Sequence, residues 1–467
     1  MLVPAPAAGR LSYDLVPPVQ LPRSAALAEV CVPVVRPFRA LRYAPDAVPD
    51  LASVVAPPYD VIGPDDVRKL LGRDPRNVVR LDSPIGEPGD EPDERYRRAA
   101  RLISTWRSDG TLHRDPRPAL YAYEQAYTIP GTAEERVRRG VFARAGLEAF
   151  GPDSGIRPHE RTLAEPREDR YRLLRATGVN TSPIVGMYDD PTGRVPEWLA
   201  ALPQKATAEV TDDDGVHHRL WMVAEDPDLL EDISARIGAG PITLADGHHR
   251  YETALRYRDE RMTGAVEHDA PAWAEILMLL LEPVQGPITV LATHRVLQGL
   301  DSAAVERFLR ELPELFEVEA RVDATELAGA FRDPTRAHGG AGRFGLWTQQ
   351  GGLILRARRS AFGASLPPGG RALRALDVTF AEMAIERLAG IDAEAVAEGT
   401  RIAYTHDPAE AIAWVMAGQD GAAIALLLEP TPARDIVSVA AEADLMPQKS
   451  TYIYPKALTG LVINPLE

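Results

Sequence analysis

Residues 241–260 read PITLADGHHRYETALRYRDE. The apolar run Ile242 to Ala245 has the length of a strand, Asp246-Gly247 punctuates it, and HRYETALRYRDE continues as a helix. A glycine directly after a strand lets the chain turn tightly, and the unpaired N–H groups of the helix's first turn then point at whatever lies in front of them. Such a turn suits a phosphate. Arg250 is placed to add a bidentate contact, His248 and His249 to neutralise transferring charge, and Asp246 to serve as base or metal ligand. For an isolated DGHHR the plainer alternative stays equally open: Asp246 caps the helix and the histidines satisfy surface backbone groups.

Working outward, PIVGMYDD (183–190) reads as a second strand ending in an acidic turn, so 150–260 is expected to form a mixed α/β core. Downstream, EILMLLLEP (275–283) and ITVLATHRVL (288–297) look like a buried antiparallel pair. SAAVERFLREL reads as a helix, RFGLWTQ and GLILRAR as strands, TFAEMAIERLAG as a helix and AAIALLLEP as a strand. Upstream, SVVAPPYDVI is expected to be a short strand running into a Pro-Pro turn, and NVVRLD (77–82) a buried strand. Tyr96, Ala99, Ile103 and Trp106 share one helical face, with Asp109-Gly110 as a stop. ALYAYEQAY and RGVFARAGL read as paired strands across a polar loop at 128–139. His217-His218, after DDDG, is expected in an exposed hairpin, and His294 of Thr293-His294-Arg295 as a satisfied structural histidine. LLLEP recurs at 279–283 and 426–430 without a sustained period, which reads as coincidence. These segments divide the chain into a loosely ordered extension (1–30), an N-terminal α/β region (31–150), the core (151–265) and a C-terminal α/β region (266–467).

Composition narrows the function. Over 467 residues, 52 Lys and Arg stand against 68 Asp and Glu, a net charge of −16. A chain of that sign has no long-range attraction for phosphate backbones or anionic lipid, so nucleic-acid and membrane partners are not expected. The single cysteine, Cys31, makes no internal disulfide, and no Cys/His spacing suggests a zinc finger. With no signal-like start and no long apolar run, the expectation is a cytoplasmic, soluble protein.

ADGHHR, with RPFRALRY, VAPPYDVI, IRPHERT, DRYRLLRATGVNTSPI and MPQKSTYIYPK around it, resembles a bacterial and archaeal family, domain of unknown function 1015. The likeness runs from about Arg36 to Val462. It implies an α/β (α+β) fold with a ParB/sulfiredoxin-like mixed-sheet core and flanking α/β regions. The core also resembles archaeal free-serine kinases, where a D-G-H-x-R motif binds ADP phosphates and a Glu in an upstream I-x-P-x-E-like segment assists phosphoryl transfer. That likeness implies Asp246, Gly247, His248, His249 and Arg250 as matching positions, with Glu160 in IRPHE (156–160). The chain departs from those kinases in its size and in its flanks at 36–150 and 275–467, which leaves the acceptor open.

Around Glu160, Pro158 stiffens the approach and Arg161, Arg167 and Arg170 crowd nearby, which favours a catalytic or metal role over a merely solvated carboxylate. His159 and Arg170 are weaker substrate candidates. Asn180, Thr181 and Ser182 read as a plain turn. Lys449-Ser450-Thr451 joins one cation to two hydroxyls, a set that holds phosphate or carboxylate, but it lacks the Gly-rich loop of a P-loop. Arg36, Arg39 and Arg42, at period three, form either an anion site or a surface face. The reading that results is an enzyme that moves a phosphoryl group from ATP or ADP, with Mg²⁺, to a small hydroxyl-bearing metabolite. Glu160, Asp246 and His248 are its expected catalytic residues. Gly247, His249, Arg250, Lys449, Ser450 and Thr451 are expected to bind phosphate, and no metal ligand is assigned. The alternative is a ParB-like regulatory protein that binds CTP or ATP without phosphorylating a small molecule; neither a helix-turn-helix nor a basic surface supports its DNA-clamp form. Sulfiredoxin-like chemistry is discarded because His248 stands where a cysteine is needed. Two geometric expectations follow: Glu160, Asp246 and Arg250 line one pocket, and residues 447–455 fold over the 246–250 turn.

Overall fold

A computed structural model describes residues 32–160, 164–262, 271–284, 286, 288–336, 342–363, 366–392, 395–396 and 399–467. The 1–30 extension, Cys31 and Arg161 lie outside the described residues. Nine strands among those described build one mixed sheet: β1 (Val35–Arg36), β2 (Leu120–Thr128), β3 (Glu135–Gly146), β4 (Ile156–Arg157), β5 (Ile184–Met187), β6 (Ala208–Thr211), β7 (His217–Val223), β8 (Ile242–Asp246) and β9 (Glu275–Leu281). Their order is β4-β8-β5-β9-β3-β2-β7-β6, with β1 pairing β3. β8 runs parallel to β4 and β9 parallel to β5, while β8 and β5 are antiparallel. The fold is therefore α+β with a mixed sheet. The boundaries drawn at 150 and 265 fall between strands of this single sheet.

β9 has both faces covered, and all seven of its residues are buried. That explains why its sequence after Glu275, ILMLLL, is continuously apolar rather than alternating. A second, antiparallel sheet holds β10 (His294–Gln298), β11 (Phe316–Val322), β12 (Arg343–Thr348), β13 (Gly351–Ala357), β14 (Ile402–Thr405) and β15 (Ala422–Leu428), in the order β11-β13-β12-β15-β10-β14. The two LLLEP copies thus begin on strands of different sheets.

The helix Glu94–Ser108 buries Tyr96, Ala99, Ile103 and Trp106, the face its spacing predicts. Each of its three larger side chains contributes roughly 1.5–3 kcal/mol on burial. Three expectations need correction. NVVRLD is buried, but Val79–Asp82 is one helical turn; an apolar run this short fits either state, and the Asn77 carboxamide, which accepts from Val79 N at 3.0 Å, starts the turn. In SVVAPPYDVI no strand forms: Leu51–Ser53 is a 3₁₀ turn capped by Asp50, and Ala56 makes one isolated bridge to Thr459. Residues 275–283 and 288–297 do not pair with each other. β9 lies between β3 and β5, Thr289–Leu291 pairs with Tyr452–Tyr454, and β10 belongs to the second sheet.

That C-terminal stretch ties the molecule together. Met446 N donates to His159 O at 2.6 Å, Thr459 and Ala56 exchange hydrogen bonds, as do Ile463 and Leu41, and Asn464–Pro465 pairs with Val179–Asn180. Among the described residues no helix is long and apolar enough to cross a membrane.

Candidate functional site

Strand β8 ends at Asp246, and Gly247 turns the chain with φ 87° and ψ 29° into the helix His248–Arg261. This left-handed conformation favours glycine, and a Cβ at this position would also stand 2.6 Å from Ile184 Cγ2. Asp246 then meets two cations: Lys456 Nζ donates to Oδ1 at 2.6 Å and Arg250 Nη2 to Oδ2 at 2.8 Å. Burial, the largest influence, pushes the Asp246 carboxyl upward, but the two cations outweigh it and hold the group well below the usual range. The group stays ionised at neutral pH, and each of its oxygens accepts from one cation.

His248 is buried beside His159, and burial followed by that neighbour drives its imidazole well below the ordinary value, so it is neutral near pH 7. Its Nε2 accepts the His159 backbone N–H at 3.3 Å, and the two rings meet edge to face at 4.6 Å. Burial also lowers His159 to about 4. The His159 Nδ1 faces the Leu244 carbonyl, which only accepts, so Nδ1 carries the proton and Nε2 takes the Thr451 hydroxyl at 3.0 Å.

Glu160 follows. Burial raises its carboxyl from 4.5 to about 7 against the pull of the Lys449 N–H, which donates to Oε1 at 3.0 Å, and of the Lys449 ammonium. Lys449 itself sits at φ 55°, a strained conformation for a non-glycine residue. Its side chain is exposed, and among the described residues no carboxylate pairs with its ammonium within 4 Å.

A cavity of about 330 Å³ collects these groups. Its lining includes Glu160, Asp246, His159, Lys449, Thr451 and the Gly247–His249 turn. Glu160 and Asp246 therefore share one cavity, and of the 447–455 segment Lys449, Thr451 and Tyr452 line it together with the Gly247–His249 turn. Three expected members stand elsewhere. Arg250 turns away to Ser182 Oγ at 3.0 Å and the Pro183 carbonyl at 2.6 Å, and with Arg170 it lines a separate chamber of about 50 Å³. Arg170 bonds Asp169 and the Asp82 carbonyl. Ser450 is buried, its hydroxyl on the Pro447 carbonyl. The Asn180–Ser182 segment, read as a plain turn, carries Thr181, whose hydroxyl donates to Asp82 at 2.6 Å.

The basic stripe resolves as structural: Arg36 pairs with Glu275 at 2.6 Å, Arg39 bonds the Asp115 carbonyl, and Arg42 pairs with Asp115 at 2.6 Å. His218 is not exposed; it is fully buried, between Tyr123 OH and Asp212 Oδ2. His294 Nδ1 accepts from Leu428 N at 3.2 Å, and among the described residues Nε2 has no partner. Sequence reading gave no role to Lys456, Tyr59, Asp60, Tyr452, Thr293, Tyr404 or His406, all of which line the cavity. The first four lie inside the quoted stretches VAPPYDVI and TYIYPK, so the signal was present.

The family model described as Protein of unknown function (DUF1015) matches residues 35–379. The chain belongs to this family. No curated protein matches. Among solved structures, it is similar to a free serine kinase in complex with AMP at 14% identity, over 70% of this chain and 90% of that one, with a TM-score of 0.34. A conserved hypothetical protein from Pyrococcus furiosus is 14% identical over 70% and 93%, TM-score 0.32. C-terminally truncated SbnI from Staphylococcus aureus is 10% identical over 67% and 85%, TM-score 0.32.

Proposed function

We propose that this member of the family is a phosphotransferase that uses a nucleoside polyphosphate to phosphorylate a small hydroxyl-bearing compound. The reading rests on one convergence: a carboxyl that titrates near 7, an unpaired ammonium and the N-terminus of a 14-residue helix all open onto the same cavity. The nucleotide phosphates lie against the N–H groups of the first helical turn, where the helix dipole favours anions. Glu160, ionised above about pH 7, accepts the proton of the acceptor hydroxyl. The acceptor oxygen bonds to the terminal phosphorus, the bond from phosphorus to the nucleotide's bridging oxygen breaks, and the shortened nucleotide leaves. Lys449 stabilises the charge on the transferring group. The Lys456–Asp246–Arg250 cluster keeps the turn in shape.

A Mg²⁺ ion brought by the nucleotide would neutralise phosphate charge. No cluster of three His, Cys, Asp or Glu gathers among the described residues. The protein oxygen that fits such an ion is Thr451 Oγ1, whose proton is turned to His159, while Glu160 Oε2 is left for the acceptor's proton.

The test is a thermal-shift screen of nucleotides with Mg²⁺, followed by turnover assays. A nucleotide at 100 times its Kd stabilises by about 2.7 kcal/mol. Lys449→Ala is expected to lower turnover by roughly two to three orders of magnitude with the fold intact. A protein that no nucleotide stabilises, or a variant with wild-type turnover, overturns the reading. Nucleotide binding without transfer to any acceptor favours a regulatory switch instead.

A further inference from the structure

Arg295 is buried at 2% exposure, yet among the described residues no carboxylate lies within 4 Å of its guanidinium. Among the described residues its hydrogen bonds go to two backbone carbonyls, Thr293 O and Lys449 O, the latter at 3.5 Å, and its Cζ stands 5.9 Å from the centre of the Tyr404 ring. A buried cation held only by carbonyls is costly, because dipoles replace hydration poorly without a counter-charge. Three residues that touch it, Thr293, Lys449 and Tyr404, line the cavity. Thr293 is 3% exposed, and among the described residues its Oγ1 has no hydrogen-bond partner. Buried hydroxyls are almost always satisfied, so an orphan at a cavity wall marks a place where a ligand atom belongs.

Charge bookkeeping separates two parts of the cavity. Around Asp246 the charges are matched: Lys456 and Arg250 face Asp246, and Arg250 also lies 3.9 Å from Asp60. Around Arg295 they are not. Arg295 and Lys449 bring two cations, and the acidic groups that sense them, Glu160 and Glu382, are both pushed up to about 7 by burial. Near neutral pH these two carboxyls are only partly ionised and offset the two cations incompletely.

We propose that the wall formed by Thr293, Tyr404 and Lys449, and backed by Arg295, is an anion subsite for the acceptor, so that the compound phosphorylated carries a carboxylate or phosphate of its own. This deepens the phosphotransferase reading and rests on it for the identity of the occupant as acceptor. The subsite is separate from the helix N-terminus that takes the nucleotide. The Thr293 hydroxyl donates to the anion, Lys449 pairs with it at the mouth, and Arg295 supplies field from one layer behind.

Thermal shift of the full chain at constant ionic strength tests this, with sodium acetate, inorganic phosphate and acetamide as probes, each with and without saturating ADP. ADP blocks the helix terminus. The expected result is concentration-dependent stabilisation of the ADP-saturated protein by acetate or phosphate and none by acetamide, the neutral isostere. Thr293→Val is expected to weaken anion binding at least fivefold without lowering the melting temperature, since it removes a buried orphan hydroxyl. Stronger acetate binding assigns a carboxylate-bearing acceptor, and stronger phosphate binding a phosphate ester. Equal effects of acetate and acetamide, no anion effect, or unchanged anion binding in Thr293→Val overturns the proposal. If ADP fails to bind while the anion effect and its loss in Thr293→Val persist, the phosphotransferase reading fails and the anion subsite stands.

Discussion

Replacing Glu160 by Gln keeps the shape of the side chain and the acceptor for the Lys449 N–H, but removes the titration. In the folded protein the carboxyl titrates at about 7 instead of 4.5, and at about 1.4 kcal/mol per unit ionising it costs the native state ~3 kcal/mol. The sign follows from the raised value. Below pH 4.5 the group is protonated in both states and there is no penalty; the penalty grows as pH rises and is complete once pH exceeds about 7. Glu160→Gln is therefore expected to match the wild type in stability at pH 4.5 and to exceed it by up to ~3 kcal/mol at pH 8, while turnover falls roughly 10²- to 10⁴-fold. Urea unfolding at the two pH values reads the first quantity, and single-turnover phosphoryl transfer the second. A variant whose stability tracks the wild type at both pH values would show that Glu160 is not desolvated, and the argument for a base near neutrality would collapse.

Removing one cation from Asp246 should be costly in the opposite pH direction. Lys456→Met leaves a buried carboxylate half paired and is expected to cost about 3–5 kcal/mol, more at pH 8 than at pH 5, with Asp246→Asn added in the same chain recovering part of the loss; equal denaturation midpoints for Lys456→Met and wild type would contradict the pairing. Gly247→Ala combines a left-handed backbone with a Cβ 2.6 Å from Ile184 Cγ2, for ~2–4 kcal/mol of destabilisation. Nucleotide-induced stabilisation should shrink in the same variant, and an unchanged nucleotide response would detach the helix terminus from phosphate binding.

How far the sequence speaks can be read from particular residues. The strand-turn-helix at 241–261 was legible because its period switches cleanly at Asp246-Gly247, and the Trp106 face because four apolar positions repeat at helical spacing. The misread segments are those where tertiary context decides. NVVRLD has no period to measure, and the partner of EILMLLL is a choice among every strand in the chain. Inside the site, residue types were legible and their relations were not. Nothing in one dimension joins Asp246 to Lys456, 210 positions away, which donates to its Oδ1. His248 looked like a charge carrier until its burial against His159 made it neutral. Thr293 and Arg295 gave no sign in one dimension of an orphan hydroxyl and an unmatched guanidinium.

The way residues 446–465 stitch the fold together also sets an order on biosynthesis. Glu160, the Gly247 turn and Arg295 leave the ribosome well before Lys449 and Lys456, so a growing chain carries an Asp246 paired with Arg250 alone and a cavity without Lys449 until residues 446–465 pair. A product terminated before Lys449 and Lys456 thus lacks the second partner of Asp246 and one cation of the cavity, although Glu160, Gly247 and Arg295 are already in the chain.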